Sequence, residues 1–275
     1  MVTLLRPLSL GELLDRAFHL YRSRFGLFVG IAALAYLPAF VMQTVILWLP
    51  KATSVAAGVT AVLGLLVLLP LRYLAVAGAA AATIIVVSAT YVEQPITVWD
   101  AYRRLSAMLV RVFVVMVVLA IGISVGLVLL IIPGIVLTLM WALAIPVAVL
   151  EDAEVAECLS RSRYLTAGHR WRVFAIFFLY FALLFALELG IGGVAGVFIA
   201  VKGTHVTATA ASALFSVAVL IIGFLVACLV TPVLTIALSV MYYDERVRKE
   251  AFDIHMMIGA LSGGPSAPGS TAATA

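Results

Sequence analysis

The feature that most restricts this chain is a series of long stretches without a charged residue. They run from Phe25 to Pro50, Ala52 to Leu71, Tyr73 to Val92, Val112 to Leu150 and Gly203 to Tyr243, and a further stretch from Val173 to Val201 is interrupted only by Glu188. A helix needs about 20 apolar residues to cross a ~30 Å hydrocarbon core, whereas a barrel strand needs about 10 of alternating character. Unbroken runs of this length specify helices. A soluble globule is excluded, because 65% of the 275 residues are hydrophobic and only 11% are charged, against about 25% charged in soluble domains. The fold class is therefore all-α integral membrane. Residues 262–275, all Gly, Pro, Ser, Thr or Ala, read as a disordered tail.

Counting the spans depends on how the prolines are read. In one reading, Ser54 to Tyr91 is a single helix bent near Pro70, the Val112 to Leu150 stretch turns at Pro133-Gly134, and Ala208 to Tyr243 bends at Pro232. Six spans result, and every basic residue falls on one face except Lys51 and Lys202 on the other and Arg72 within a span. In the competing reading, a turn at Pro70-Leu71-Arg72 adds a span. Arg6, Arg16, Arg22, Arg24, Arg72 and Lys202 then oppose all the other basic residues. The sharper asymmetry of the first satisfies the positive-inside rule and puts both termini in the cytoplasm. No short basic leader precedes the first apolar run, so no signal peptide is expected. The fourth span, Ile135 to Leu150, is short for the core and calls for little tilt or a partly re-entrant course.

A short basic segment precedes each odd-numbered span, which suggests three repeated units of interfacial amphipathic helix plus helical hairpin. In residues 1–24, Ser9 and Glu12 form an S-x-x-E capping box, with Leu10, Leu13, Leu14, Ala17, Tyr21 and Phe25 on one face and Glu12, Asp15, Arg16, His19 and Arg22 on the other. Thr97 and Asp100 repeat the box in a segment near 97–111 that carries Arg103, Arg104 and Arg111. The third copy, near 154–172, is looser and holds Arg161, Arg163, Arg170 and Arg172. The membrane domain spans 25–261. Arg16, Arg103, Arg104, Arg161 and Arg172 are candidate contacts for anionic lipid headgroups, although they also serve as topogenic flanks.

Arg72 and Glu188 are the two charges that this topology places inside the membrane. Measured from Tyr91 and Arg172, they lie ~28 Å and ~24 Å along their helices, so each is expected to seek an opposite charge or water, and the other is a candidate partner. Gly122-Ile-Ser-Val-Gly126 matches G-x-S-x-G, but a nucleophile elbow needs a strand, a turn and a helix, and this stretch lies mid-helix. It reads instead as a small-residue packing face, as do Gly26 with Gly30 and Gly192 with Gly196, which also offers a route to a homo-oligomer. No metal, P-loop or redox motif is found, no cofactor or nucleic-acid partner is expected, and Cys158 and Cys228 are not placed to pair.

Several segments resemble a known family. Arg6-Pro-Leu-Ser-Leu-Gly-Glu-Leu-Leu-Asp-Arg-Ala-Phe-His-Leu-Tyr21, Ile132-Pro-Gly-Ile-Val136 and Ala144-Ile-Pro-Val-Ala-Val-Leu-Glu151 are similar to the membrane domain attached to some bacterial glycerophosphodiester phosphodiesterases. Ser160-Arg-Ser-Arg-Tyr-Leu-Thr-Ala-Gly168 and Tyr242-Tyr-Asp-Glu-Arg-Val-Arg-Lys-Glu250 extend the likeness. The resemblance implies a six-span prokaryotic membrane protein, often a stand-alone chain. It does not imply phosphodiesterase activity, which resides in a separate soluble barrel. The expected function is a non-enzymatic membrane module that organises lipid or docks partners at the cytoplasmic face. The alternative is a small transporter with a midplane site at Arg72 and Glu188.

Overall fold

The computed structural model describes residues 8–48, 55–92, 94–202 and 210–250, and among these every regular element is a helix. In chain order they are α1 (Leu10–Ser23), α2 (Phe25–Trp48), α3 (Val55–Tyr91), α4 (Val98–Ser106), α5 (Leu109–Leu129), α6 (Ile131–Met140), α7 (Ala144–Leu150), α8 (Val155–Thr166), α9 (Arg170–Lys202) and α10 (Ala210–Glu250). Six segments are long and apolar enough to cross a membrane: Phe25–Ile46, Val62–Tyr91, Leu109–Leu129, Ile131–Leu150, Arg170–Gly193 and Phe215–Glu250. The tail at 262–275 lies outside the described residues.

Local chemistry starts the short helices where expected. The Ser9 hydroxyl accepts the Glu12 N–H while the Glu12 carboxylate accepts the Ser9 N–H, and Thr97 and Asp100 do the same for α4. Each box satisfies two amide donors that a helix start leaves free. In α8 no side chain caps the start, in keeping with its looser sequence. Its end turns at Gly168, whose φ of +86° suits glycine and would strain a residue with a Cβ.

The short helices do not lie apart from the bundle. Leu8 N–H donates to the Asp244 carboxylate, and the Tyr21 hydroxyl donates to the Leu229 carbonyl. These anchors are four turns apart on α10, so α1 lies against the last part of that helix and buries Leu13, Ala17 and Tyr21 there. Val98 and Leu105 of α4 pack over Gly30 of α2 and Gly78 of α3, and the Tyr102 hydroxyl donates to the Ile31 carbonyl.

Helix length explains what lies beneath these elements. At ~1.5 Å per residue, the 37 residues of α3 and the 41 of α10 run ~55 Å and ~60 Å, far beyond a ~30 Å core. The surplus is packed in protein at one end, where residues such as Ala77, Ile84 and Val87 of α3 and Ile236, Val240 and Met241 of α10 are buried. The opposite parts carry exposed Leu63, Leu66 and Leu69 on α3 and Phe178, Phe181 and Phe185 on α9.

One expectation about the prolines needs correction. The chain reverses at Leu130, which is extended (φ −159°, ψ 135°), and not at Pro133-Gly134. Pro133 falls in the first turn of α6, where its missing N–H costs no intrahelical bond. Gly134 is needed for close approach, since a Cβ there would meet Leu127 at 2.5 Å. The fourth span consequently starts at Ile131 and has 20 residues, about the length that a bilayer requires. It is also broken: Trp141 to Leu143 separate α6 from α7. Pro146 cannot donate to the carbonyl four residues before it and would crowd it, so the helix stops and restarts ahead of the proline. Pro70 and Pro232, by contrast, lie within continuous helices, as expected.

Candidate functional site

The charged end of α10 meets the start of α9, the end of α7, α8 and the chain entering α1. Apolar spans deliver these charges to one place, because each span ends in a charged turn on the same side of the bundle. Asp244 and Glu245, whose side chains are 0% exposed, both face Arg172: its Nη1 lies 2.6 Å from Asp244 Oδ2 and 3.1 Å from Glu245 Oε1. Arg248 Nε reaches the same Asp244 oxygen at 2.9 Å, and His169 Nδ1 lies 2.8 Å from Glu245 Oε2. The Leu8 backbone completes the cluster. Its N–H donates to Asp244 Oδ1 at 2.6 Å, and its carbonyl accepts from Arg172 Nη2 at 2.9 Å and Arg248 Nη2 at 2.5 Å.

A second group adjoins it. Glu151 accepts from Arg161 Nε at 2.8 Å and from the Tyr242 hydroxyl at 2.6 Å, while Glu250 pairs with Arg161 at 2.6 Å and Arg246 at 3.0 Å. Burial works against the Arg161 charge, but Glu151 and Glu250 outweigh it and hold the guanidinium above its ordinary value. Lys249 Nζ donates to the Tyr164 and Ala167 carbonyls at the end of α8, each at 2.6 Å, where a cation complements the helix dipole. Buried acids left without such partners would cost several kcal/mol.

The break in the fourth span is closed by side chains of α8. The buried Ser162 hydroxyl accepts the Leu143 N–H at 3.1 Å and donates to the Met140 carbonyl at 2.9 Å, which Thr166 also reaches at 3.2 Å. A broken helix at membrane depth is tolerable only where protein satisfies its backbone, and two hydroxyls do so here.

The residues singled out in the sequence separate into three sets. Arg161 and Arg172 are engaged by carboxylates of the protein, where helix ends converge on them. Arg16 is half-buried, with its guanidinium 5.0 Å from the centre of the Tyr91 ring. Arg103 and Arg104 are exposed on α4. Arg72 and Glu188 are both exposed, and among the described residues no ion pair joins them.

Of the small-residue faces, Gly122 and Gly126 are used within the chain, where a Cβ would meet Trp141 at 2.6 Å and Leu137 at 2.9 Å, while Gly26 and Gly192 stand open. Cys158 and Cys228 are both buried and free, and burial pushes the Cys158 thiol up. Among the described residues, no group of three or more His, Cys, Asp and Glu side chains could hold a metal.

Sequence reasoning missed Asp244, Glu245, Glu151, His169, Ser162 and Thr166 as members of one site. The signal was present as short motifs: Leu8, Glu151, Arg161, Ser162, Thr166 and Asp244 to Glu250 all fall in the segments that carry the family resemblance. Comparison with family models, curated proteins and solved structures yields no match to this chain.

Proposed function

We propose that the chain is a non-enzymatic membrane module of the kind attached to bacterial glycerophosphodiester phosphodiesterases, with its packed end in the cytoplasm of a prokaryote, where it organises lipid or docks partners. The three-unit architecture belongs to this reading: α1 with the α2–α3 hairpin, α4 with α5 and the broken α6–α7, and α8 with α9–α10. The observation that carries the reading is a division among the arginines. Arg161 and Arg172 fasten the packed end, whereas Arg103 and Arg104 remain exposed beside the apolar helices, at a position suited to anionic headgroups. That no ion pair joins Arg72 and Glu188 among the described residues supports the module over a transporter that uses both at one midplane site.

The test is lipid retention by the purified protein. Anionic lipid should be retained over neutral lipid, and replacing Arg103 and Arg104 with Gln should reduce that preference without lowering helix content. Equal retention of both lipids by the parent would reject a headgroup role. Orientation is checked separately with an impermeant thiol reagent. A cysteine at Thr53 or Thr204 should label from outside intact cells and one at Ser106 should not; external labelling at Ser106 would reverse the topology.

A further inference from the structure

Arg72 is a cation on an apolar stretch of α3, exposed, with no carboxylate paired to it among the described residues. Gly78 packs against Leu105 of α4, whose neighbours Arg103 and Arg104 belong in water or headgroups. Arg72 is six residues from Gly78, so its backbone sits ~9 Å into the apolar layer, a depth from which an arginine side chain extends back to the lipid phosphates. Beside it lies a groove of ≈ 460 Å³ between α3 and α5, open to the side and walled by Leu69, Pro70 and Tyr73 on one helix and Phe113, Ile121 and Val125 on the other. Leu69 and Arg72 are three residues apart, hence neighbours on the helix surface.

The groove's dimensions suit a single chain of lipid. From Phe113 to Val125 it follows α5 for ~18 Å, close to the ~15 Å that one leaflet contributes to a ~30 Å core. The polar atoms at its wall are few, so an acyl chain loses nothing there that water would have supplied. A guanidinium needs an anion with oxygens in a fork, and a phosphate at the interface provides one.

We propose that the α3–α5 groove and Arg72 form a binding site for one anionic phospholipid, with an acyl chain lying in the groove and the phosphate on the Arg72 guanidinium. This rests on the lipid-organising reading above and gives it a defined site. The lipid would fill the seam beside Pro70 between α3 and α5.

The full-length protein, delipidated in detergent, is titrated with phosphatidylglycerol and, in parallel, with diacylglycerol of the same chains, and bound lipid is counted by native mass spectrometry. The parent should hold one phosphatidylglycerol more tightly than diacylglycerol. Arg72→Gln and Ala120→Trp, which blocks the groove, should each weaken it about tenfold, and Arg72→Lys should recover part of the loss. Ile121→Trp, on the exposed wall, replaces Ala120→Trp if that variant melts early. Diacylglycerol binding as tightly as phosphatidylglycerol would overturn the role of Arg72. Unchanged binding in the Arg72 and groove variants, with loss only on changing Arg103 and Arg104, would overturn this site and leave the broader reading standing.

Discussion

The two lengths of α3 on either side of Arg72 are both free of charge and meet different surroundings. Toward its start, Val62, Leu63, Leu65, Leu66, Val67 and Leu69 are exposed; toward its end, Ala77, Ala79, Ala80, Ala81, Ala82, Val86 and Val87 are buried. Side-chain size separates these halves. Small residues let helix backbones approach, whereas lipid tails receive leucine as readily as protein would. The same contrast divides the molecule. At the packed end, hydrogen bonds, ion pairs and close-packed alanines hold the start of α1, the end of α7, α8, the start of α9 and the end of α10 together, and the opposite end offers apolar surface.

Four measurements can break or sharpen that contrast. Arg172→Met should have the largest effect, a loss of ~3–5 kcal/mol, because it removes the cation that two buried carboxylates share. Thermal unfolding in detergent measures it. A loss below ~1 kcal/mol would mean the cluster behaves like a surface salt bridge.

Ser162→Ala comes next, at ~1–3 kcal/mol, because the Leu143 N–H then lacks its acceptor inside the break while Thr166 still serves Met140. Faster hydrogen exchange at Leu143 should accompany the loss. Protection equal to the parent's would show that another group closes the break.

Acid should act more weakly, at the edge of the packed end. The Thr97 hydroxyl and amide hold the Asp100 carboxyl below its usual value. A depressed folded value means that the cap's contribution is complete above the ordinary carboxylate range and disappears as pH falls through the depressed one. Exchange at the first amides of α4 should therefore rise only at the acid end, and a rise near neutrality would point to a different group.

Phe185→Leu on the splayed face should change stability least, within about 0.5 kcal/mol. A loss like that of Arg172→Met would show that Phe185 is buried in an interface the isolated chain does not contain.

Much of the fold was legible because it depends on local chemistry. Apolar run length predicts the helical class and six spans, Ser9–Glu12 and Thr97–Asp100 predict two helix starts, and Gly122 with Gly126 predict a face of close helix packing. The candidate site was only half legible. Arg161 and Arg172 stood out as charges, but nothing in their neighbourhoods along the chain distinguishes them from Arg103 and Arg104.

Their partners come from far away. Arg172 meets Asp244 across 72 residues, and Asp244 meets Leu8 across 236. A local pattern can state that a guanidinium is present and that a proline disfavours a helix. It cannot state which carboxylate is buried beside that guanidinium, or that the hydroxyls of α8 will close the break before Pro146. Those outcomes depend on which helix ends meet. Caps, the number of apolar spans and glycine spacing were determined by the sequence on its own; the pairing of Arg172, the turn at Leu130 and the closing of the break before Pro146 were decided by tertiary packing, because each depends on contacts between segments that the chain brings together only when it folds.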